Sequence, residues 1–161
     1  MDRLLGGQHD TAFFKAEPTN RGDAPLCPQC GGVRGMLSWL APFRAELELY
    51  GKDYGDLVEG PGNELLVTER FADDFKAEGL MGLSGFHPVE VVRVVRKRRG
   101  PKPGPPPRYL AVTAAYGGPA LDMEHSRILG NTPMTCTWCR YVGCEAIDGL
   151  ALDVGTWKGE D

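Results

Sequence analysis

Two Cys-x-x-Cys pairs constrain this chain more than any other feature. The first is Cys27-Pro28-Gln29-Cys30 and the second Cys136-Thr137-Trp138-Cys139, with more than a hundred residues between them. Two intervening residues let one tight turn aim both sulfurs at a single ion, and two such turns complete a tetrahedral thiolate shell. A shared ion on Cys27, Cys30, Cys136 and Cys139 would therefore tie an early segment to a late one, with everything else inserted between. Loop closure of this length is entropically acceptable, because its cost grows only slowly with length.

The first pair is the sharper signal. Pro28 presets φ in the turn, and Gly31 permits the positive φ that closes a zinc knuckle and turns amide donors toward sulfur. The second pair has Arg140 at the equivalent position. Other readings of the cysteines are a redox-active pair and thiols that hold nothing. Iron would accept the same four thiolates as zinc. Cys144 is a spare, expected to be a small buried apolar residue but able to replace Cys139. His87 and His125 are weaker ligand candidates.

The remaining sequence predicts an α+β fold with a mainly antiparallel sheet, one principal helix, and the knuckles at 27–32 and 136–144 joining the N- and C-terminal parts. Glycine and proline exceed a fifth of the 161 residues, which excludes a helical bundle. Residues 1–11 read as a flexible leader and 12–161 as a single domain. Ala12–Glu17 is strand-like. In 43–50 apolar residues at 43, 45, 47 and 49 alternate with Arg44, Glu46 and Glu48, the pattern of a strand with one wet face. A helix over about 68–79 has Thr68 as N-cap, Glu69 in its first turn and Gly79 as its stop. Residues 87–95 and 109–116 read as antiparallel strands joined by a Pro- and Gly-rich exposed loop.

Charge and motifs narrow the function. Residues 93–108 hold seven basic side chains and no acid, in a chain of net charge −4. Such a stretch suits an anionic partner or a solvated loop; without interleaved aromatics it is a poor nucleic-acid surface. No G-x-S-x-G, H-E-x-x-H, P-loop or dinucleotide fingerprint is present, so an enzyme is not expected. No apolar run approaches the ~20 residues of a membrane span, and the N-terminus has no signal-peptide stretch. The expectation is a cytoplasmic protein without a membrane partner, in a compartment where thiols stay reduced.

Several segments, in order, resemble a known family. They are Phe13-Phe14-Lys15-Ala16-Glu17, Cys27-Pro28-Gln29-Cys30-Gly31, Leu65-Leu66-Val67-Thr68-Glu69-Arg70-Phe71, Gly79-Leu80-Met81-Gly82-Leu83, Phe86-His87-Pro88-Val89-Glu90-Val91 and the second Cys-x-x-Cys. Together, over roughly residues 12–145, they resemble the double-CXXCG motif immunity proteins, small cytosolic proteins encoded beside bacterial toxins exchanged between neighbouring cells (Sit-type systems). The resemblance implies neutralisation of a cognate toxin by direct binding, with Cys27, Cys30, Cys136 and Cys139 holding a structural metal. It places Arg140 where the family motif has glycine, and it implies related chains that continue beyond Asp161. The alternative is a zinc-ribbon module that binds nucleic acid, or regulates, through the basic 93–108 loop.

Overall fold

The computed structural model describes residues 12–16 (backbone), 20–60, 64–97, 99, 103–130, 133, 134, 136–143 and 145–157. The leader over 1–11, Cys144, Arg98, Lys102 and the last four residues lie outside the described residues. The chain gathers into two compact units. The larger comprises the chain up to Asp23 with Met36–Ala115, and the smaller Ala24–Gly35 with Tyr116–Asp161. The fold is α+β, with mostly antiparallel strands and one α-helix.

The larger unit is a closed barrel. Its strands are β1 (Ala12–Ala16), β4 (Arg44–Leu49), β5 (Leu57–Glu59), β6 (Leu65–Thr68), β7 (Leu83–Arg96) and β8 (Tyr109–Ala114). A short ladder of β2 (Asn20–Arg21) and β3 (Trp39–Leu40) is not hydrogen-bonded into the barrel, but Trp39 packs into its buried cluster. The order around the barrel is β1-β4-β7-β8-β6-β5, and a parallel β1–β5 pairing closes it. Closure leaves no edge strand exposed. The β4–β7 pairing is also parallel.

Strand β7 makes the closure possible by changing partners. Leu83–Val89 pairs with β8, and Glu90–Arg96 pairs with β4. A bulge at Gly85/His87, where Phe86 takes φ 50°, and a register shift at Ala45/Glu46 add the twist that lets one 14-residue strand serve two neighbours. The predicted antiparallel pairing of 87–95 with 109–116 therefore holds for its first part only.

Alternation in β4 buries Ala45, Leu47 and Leu49 inside the barrel with Val58, Leu66, Tyr109 and Ala111. The runs Leu65–Val67 and Leu110–Val112 do not alternate because both their faces are covered. Leu66 and Ala111 point into the barrel, while Val67 and Val112 meet Ala72 of helix α1 (Glu69–Ala77). The helix ends match their sequence signals. Thr68 Oγ1 accepts from the Phe71 N–H at 3.2 Å. At the other end Gly79 (φ 70°) donates to Lys76 O and Leu80 N–H to Phe75 O, a Schellman closure.

The wet face of β4 is drier than alternation predicts. Glu48 is buried, accepting from Tyr50 Oη at 3.0 Å and pairing with Lys97 Nζ at 2.9 Å. That hydrogen bond holds the Lys97 ammonium above its ordinary pKa. Arg44 pairs with Glu90 at 2.9 Å and Glu46 with Arg93 at 2.7 Å, each partner directly opposite in the ladder. Opposite charges facing across a ladder favour this register over a slipped one. The proline-rich segment is also less exposed than expected: Pro103, Pro106 and Pro107 are half-buried, and Tyr54 Oη donates to Gly104 O at 3.2 Å.

The smaller unit has little regular structure. Strand β9 (Ala120–Leu121) pairs with β12 (Leu152–Asp153), and β10 (Ile128–Leu129) with β11 (Ala146–Ile147). A single 3-10 turn follows at Val154–Thr156.

Candidate metal centre

Each Cys-x-x-Cys forms the same turn. In the first knuckle Leu26 and Val33 make an antiparallel bridge, Cys27 N–H donates to Gly32 O at 2.8 Å, and Gly31 N–H returns to Cys27 O at 2.9 Å. Gly31 has φ 71°, the left-handed conformation its residue type predicts. In the second knuckle Arg140 N–H donates to Cys136 O at 2.9 Å, and Arg140 itself takes φ 51°. The arginine thus adopts the backbone conformation of the missing glycine. Its side chain gains a compensating bond, from Nη2 to Gly118 O.

The two turns bring Cys27, Cys30, Cys136 and Cys139 together, with all four sulfurs within 4.8 Å of one another. Cys27 and Cys136 Sγ lie 3.8 Å apart, and Cys30 and Cys139 Sγ 3.7 Å apart. These separations exclude disulfides, and the thiols are free. A tetrahedral site with metal–sulfur bonds of about 2.3 Å has edges of about 3.8 Å, which the Cys27–Cys136 and Cys30–Cys139 separations match. Cys27, Cys136 and Cys139 are buried; Cys30 is exposed. The four residues can hold a metal ion.

The turns also solvate the sulfurs with amide protons, as the knuckle geometry predicts. Burial would raise the Cys27 thiol, but N–H groups of Cys30 and Gln29 bring it down to about 6. The Cys139 N–H, assisted by that of Trp138, likewise lowers Cys136 against the effect of its burial. The Gly32 N–H lowers Cys30, yet the adjoining Cys27 sulfur and desolvation outweigh it and push Cys30 up to about 11. The shifts make Cys27 and Cys136 the more acidic thiols and Cys30 the more basic, so an incoming divalent ion must displace protons. Binding releases protons and weakens as pH falls. Chelator competition between pH 8 and 5 is expected to show affinity declining steadily as the thiols take up protons.

A second fastening lies beside the sulfurs. The Arg34 guanidinium, from the first knuckle, stacks 3.8 Å from the Tyr116 ring centroid and 4.3 Å from that of Trp138, in the second knuckle. Tyr116 Oη donates to Cys139 O. No spacing rule singles out Arg34 or Tyr116; the only sequence signal was an aromatic residue inside the second Cys-x-x-Cys.

Arg140 gives a direct test of the second knuckle. Arg140→Ala keeps the left-handed strain and loses the bond to Gly118, whereas Arg140→Gly loses the bond but removes the strain. The glycine variant is expected to hold metal about 1 kcal/mol more tightly than the alanine variant, roughly fivefold in a chelator competition. Equal affinities would show that φ at this position does not limit the site.

The other candidates lie elsewhere. His125 Nδ1 meets Asp122 Oδ2 at 2.7 Å, and Asp122, held below the usual carboxylate range chiefly by the His125 N–H, caps its own turn. His87 stacks on Phe43 at 4.5 Å. Neither joins the cysteines. An open cleft of about 490 Å³ in the larger unit has its charges paired internally, Asp56 with Arg70 and Thr68, and Glu69 with Arg108. In the basic stretch Arg93, Lys97 and Arg108 pair with Glu46, Glu48 and Glu69. Among the described residues no helix is long and apolar enough to cross a membrane. Comparison with known proteins adds no relative to this picture: no family model, no curated protein and no solved structure matches the chain.

Proposed function

We propose that the chain is a non-enzymatic immunity protein that binds and neutralises a cognate bacterial toxin, its smaller unit held together by a structural zinc ion on Cys27, Cys30, Cys136 and Cys139. The observation that carries this reading is the convergence of the two Cys-x-x-Cys turns, which are among the segments that resemble the double-CXXCG immunity proteins. Four thiolates close the coordination shell and leave no position for a reacting water, so the ion's part is structural. Iron fits the same ligands, and elemental analysis of the purified protein separates the two.

The exposed side chains of the smaller unit suit a protein partner. Trp138, Tyr141 and Trp157 are 48%, 66% and 53% exposed, and Trp and Tyr are among the residue types that dominate binding energy at protein interfaces. Net negative charge favours a basic toxin, such as a nuclease. Nucleic-acid binding through residues 93–108 is less favoured, because Arg93, Lys97 and Arg108 already face carboxylates.

The test is co-expression with the toxin encoded beside this chain. The expected result is survival of the host and co-purification of the two proteins in fixed stoichiometry. Failure to protect, combined with salt-dependent RNA or DNA binding that is lost on neutralising Arg96 and Arg99, would replace this reading with the nucleic-acid one.

A further inference from the structure

The cysteine cluster is asymmetric in a way that bears on its chemistry. Three of its sulfurs belong to buried residues, with relative exposures of 2%, 4% and 3%, while Cys30 is open to solvent. Thiolates that structural metals protect are shielded by burial, and oxidants reach the accessible one first. Close sulfur–sulfur contacts run between the two knuckles: Cys30 faces Cys139 at 3.7 Å, and Cys27 faces Cys136 at 3.8 Å. Each contact spans 109 positions of the chain.

From this arrangement we infer that the centre is an oxidation-sensitive clasp, in which peroxide ejects the metal and leaves the two knuckles joined by disulfides Cys30–Cys139 and Cys27–Cys136. The inference rests on the metal-binding reading above and deepens it. The oxidant is hydrogen peroxide. Cys30 thiolate attacks the peroxide, its sulfur bonds to one oxygen as the O–O bond breaks, and hydroxide leaves. Cys139 thiolate then attacks the Cys30 sulfenic sulfur, forming the S–S bond and expelling a second hydroxide. Two thiolates lose two electrons and one peroxide gains them. An ion left with two thiolates is released, and a second peroxide couples Cys27 with Cys136 by the same steps.

The consequence is a change of fastening without separation of the fastened parts. The same residues that hold the ion hold the chain after it has gone, so the segment around 24–35 stays tied to 136–140. Thioredoxin-type reductants return the four thiols and restore metal binding.

The test uses the full-length, reduced, metal-loaded protein and hydrogen peroxide. Metal release is followed with a chromogenic chelator, and the products are run unreduced on a denaturing gel and mapped by tandem mass spectrometry. The expected result is about one equivalent of metal released per chain, a faster-migrating band that reverts with dithiothreitol, and cross-linked peptides joining residue 30 to 139 and 27 to 136. A chain closed through a 109-position loop is more compact when denatured, whereas a disulfide inside one Cys-x-x-Cys scarcely changes its mobility. Retention of the metal at excess peroxide would overturn the inference, and so would disulfides confined to 27–30 and 136–139. Metal analysis of the untreated protein is the separate control. If it finds none, the metal reading fails, and the gel and peptide map still decide whether the cross-knuckle disulfides form. Cys30→Ser in the same assay is expected to abolish the fast band at one equivalent of peroxide; an unchanged band would overturn the inference, because Cys30 would not be the sulfur that peroxide reaches first.

Discussion

Cys136→Ser is expected to unfold the smaller unit while the barrel remains folded. The reason is the composition of that unit's interior. Among its described residues the buried apolar side chains are Ala24, Cys27, Cys136 and Cys139, so three of the four are ligand candidates. Leu129, Tyr141, Leu150, Leu152, Val154 and Trp157 are all more than half exposed and add little burial. Its ladders are two residues long. A unit with so small a core needs a metal or disulfides to fold. A structural zinc ion supplies on the order of 10 kcal/mol in small domains, comparable to the whole stability of a typical one. Losing one of four thiolates removes most of that. The measurement is an amide correlation spectrum. Resonances of 24–35 and 116–157 are expected to collapse toward random-coil positions, while those of β4, β6, β7 and β8 stay dispersed. Chelation at mildly acidic pH should give the same pattern in the unmodified chain. Dispersed signals from 116–157 in both experiments would show that something other than the metal holds the unit.

The second large effect belongs to the barrel. Leu47 is fully buried at the centre of β4, among Ala45, Leu49, Val58, Leu66 and Tyr109. Leu47→Ala deletes its branched side chain from a closed wall that cannot collapse inward freely. The expected cost is about 3 kcal/mol, which lowers the thermal midpoint of a unit of this size by on the order of 15 °C. Val92→Ala, on the exposed side of β7 at 40% exposure, is the control and should shift it little. Circular dichroism melts of the two variants check both outcomes. Equal shifts would mean that the barrel interior is not the source of this unit's stability.

Tyr109 illustrates why the barrel wall is specific as well as apolar. Its ring is buried, and its hydroxyl donates to Gly55 O at 2.8 Å. Burial raises its pKa far above the usual tyrosine value, so the phenol remains a donor at any physiological pH. The loop before β5 is thereby anchored to β8 by a bond that an apolar replacement would leave unmade.

The elements legible from the sequence are those whose signals are local. Thr68, Glu69 and Gly79 marked both ends of α1, because a helix end must satisfy its own amides and carbonyls with nearby groups. The 43–49 alternation marked β4 and its buried face. The Cys27–Gly31 turn was equally legible, since ligand spacing, Pro28 and Gly31 all act within six residues. Strand β5 was not: Leu57–Glu59 is three residues long, lies in a glycine-rich stretch, and exists as a strand only because β6 and β1 pair with it. The two-residue ladders of the smaller unit have no period to read.

The sequence by itself determined the cysteine spacing, the helix with its caps, the strand faces and the charge balance. Each depends on interactions spanning only a few residues. Tertiary structure alone decided three further things. It closed the sheet into a barrel, because β7 changes partner between Val89 and Glu90 and the bulge at Phe86 adds twist ahead of that change. It turned an apparently free basic stretch into a set of ion pairs, because parallel pairing with β4 sets Arg93 opposite Glu46 and the strand's continuation brings Lys97 to Glu48. And it made Arg140 a workable substitute for glycine, because Gly118, 22 positions earlier, offers a carbonyl that offsets the strain of a left-handed arginine.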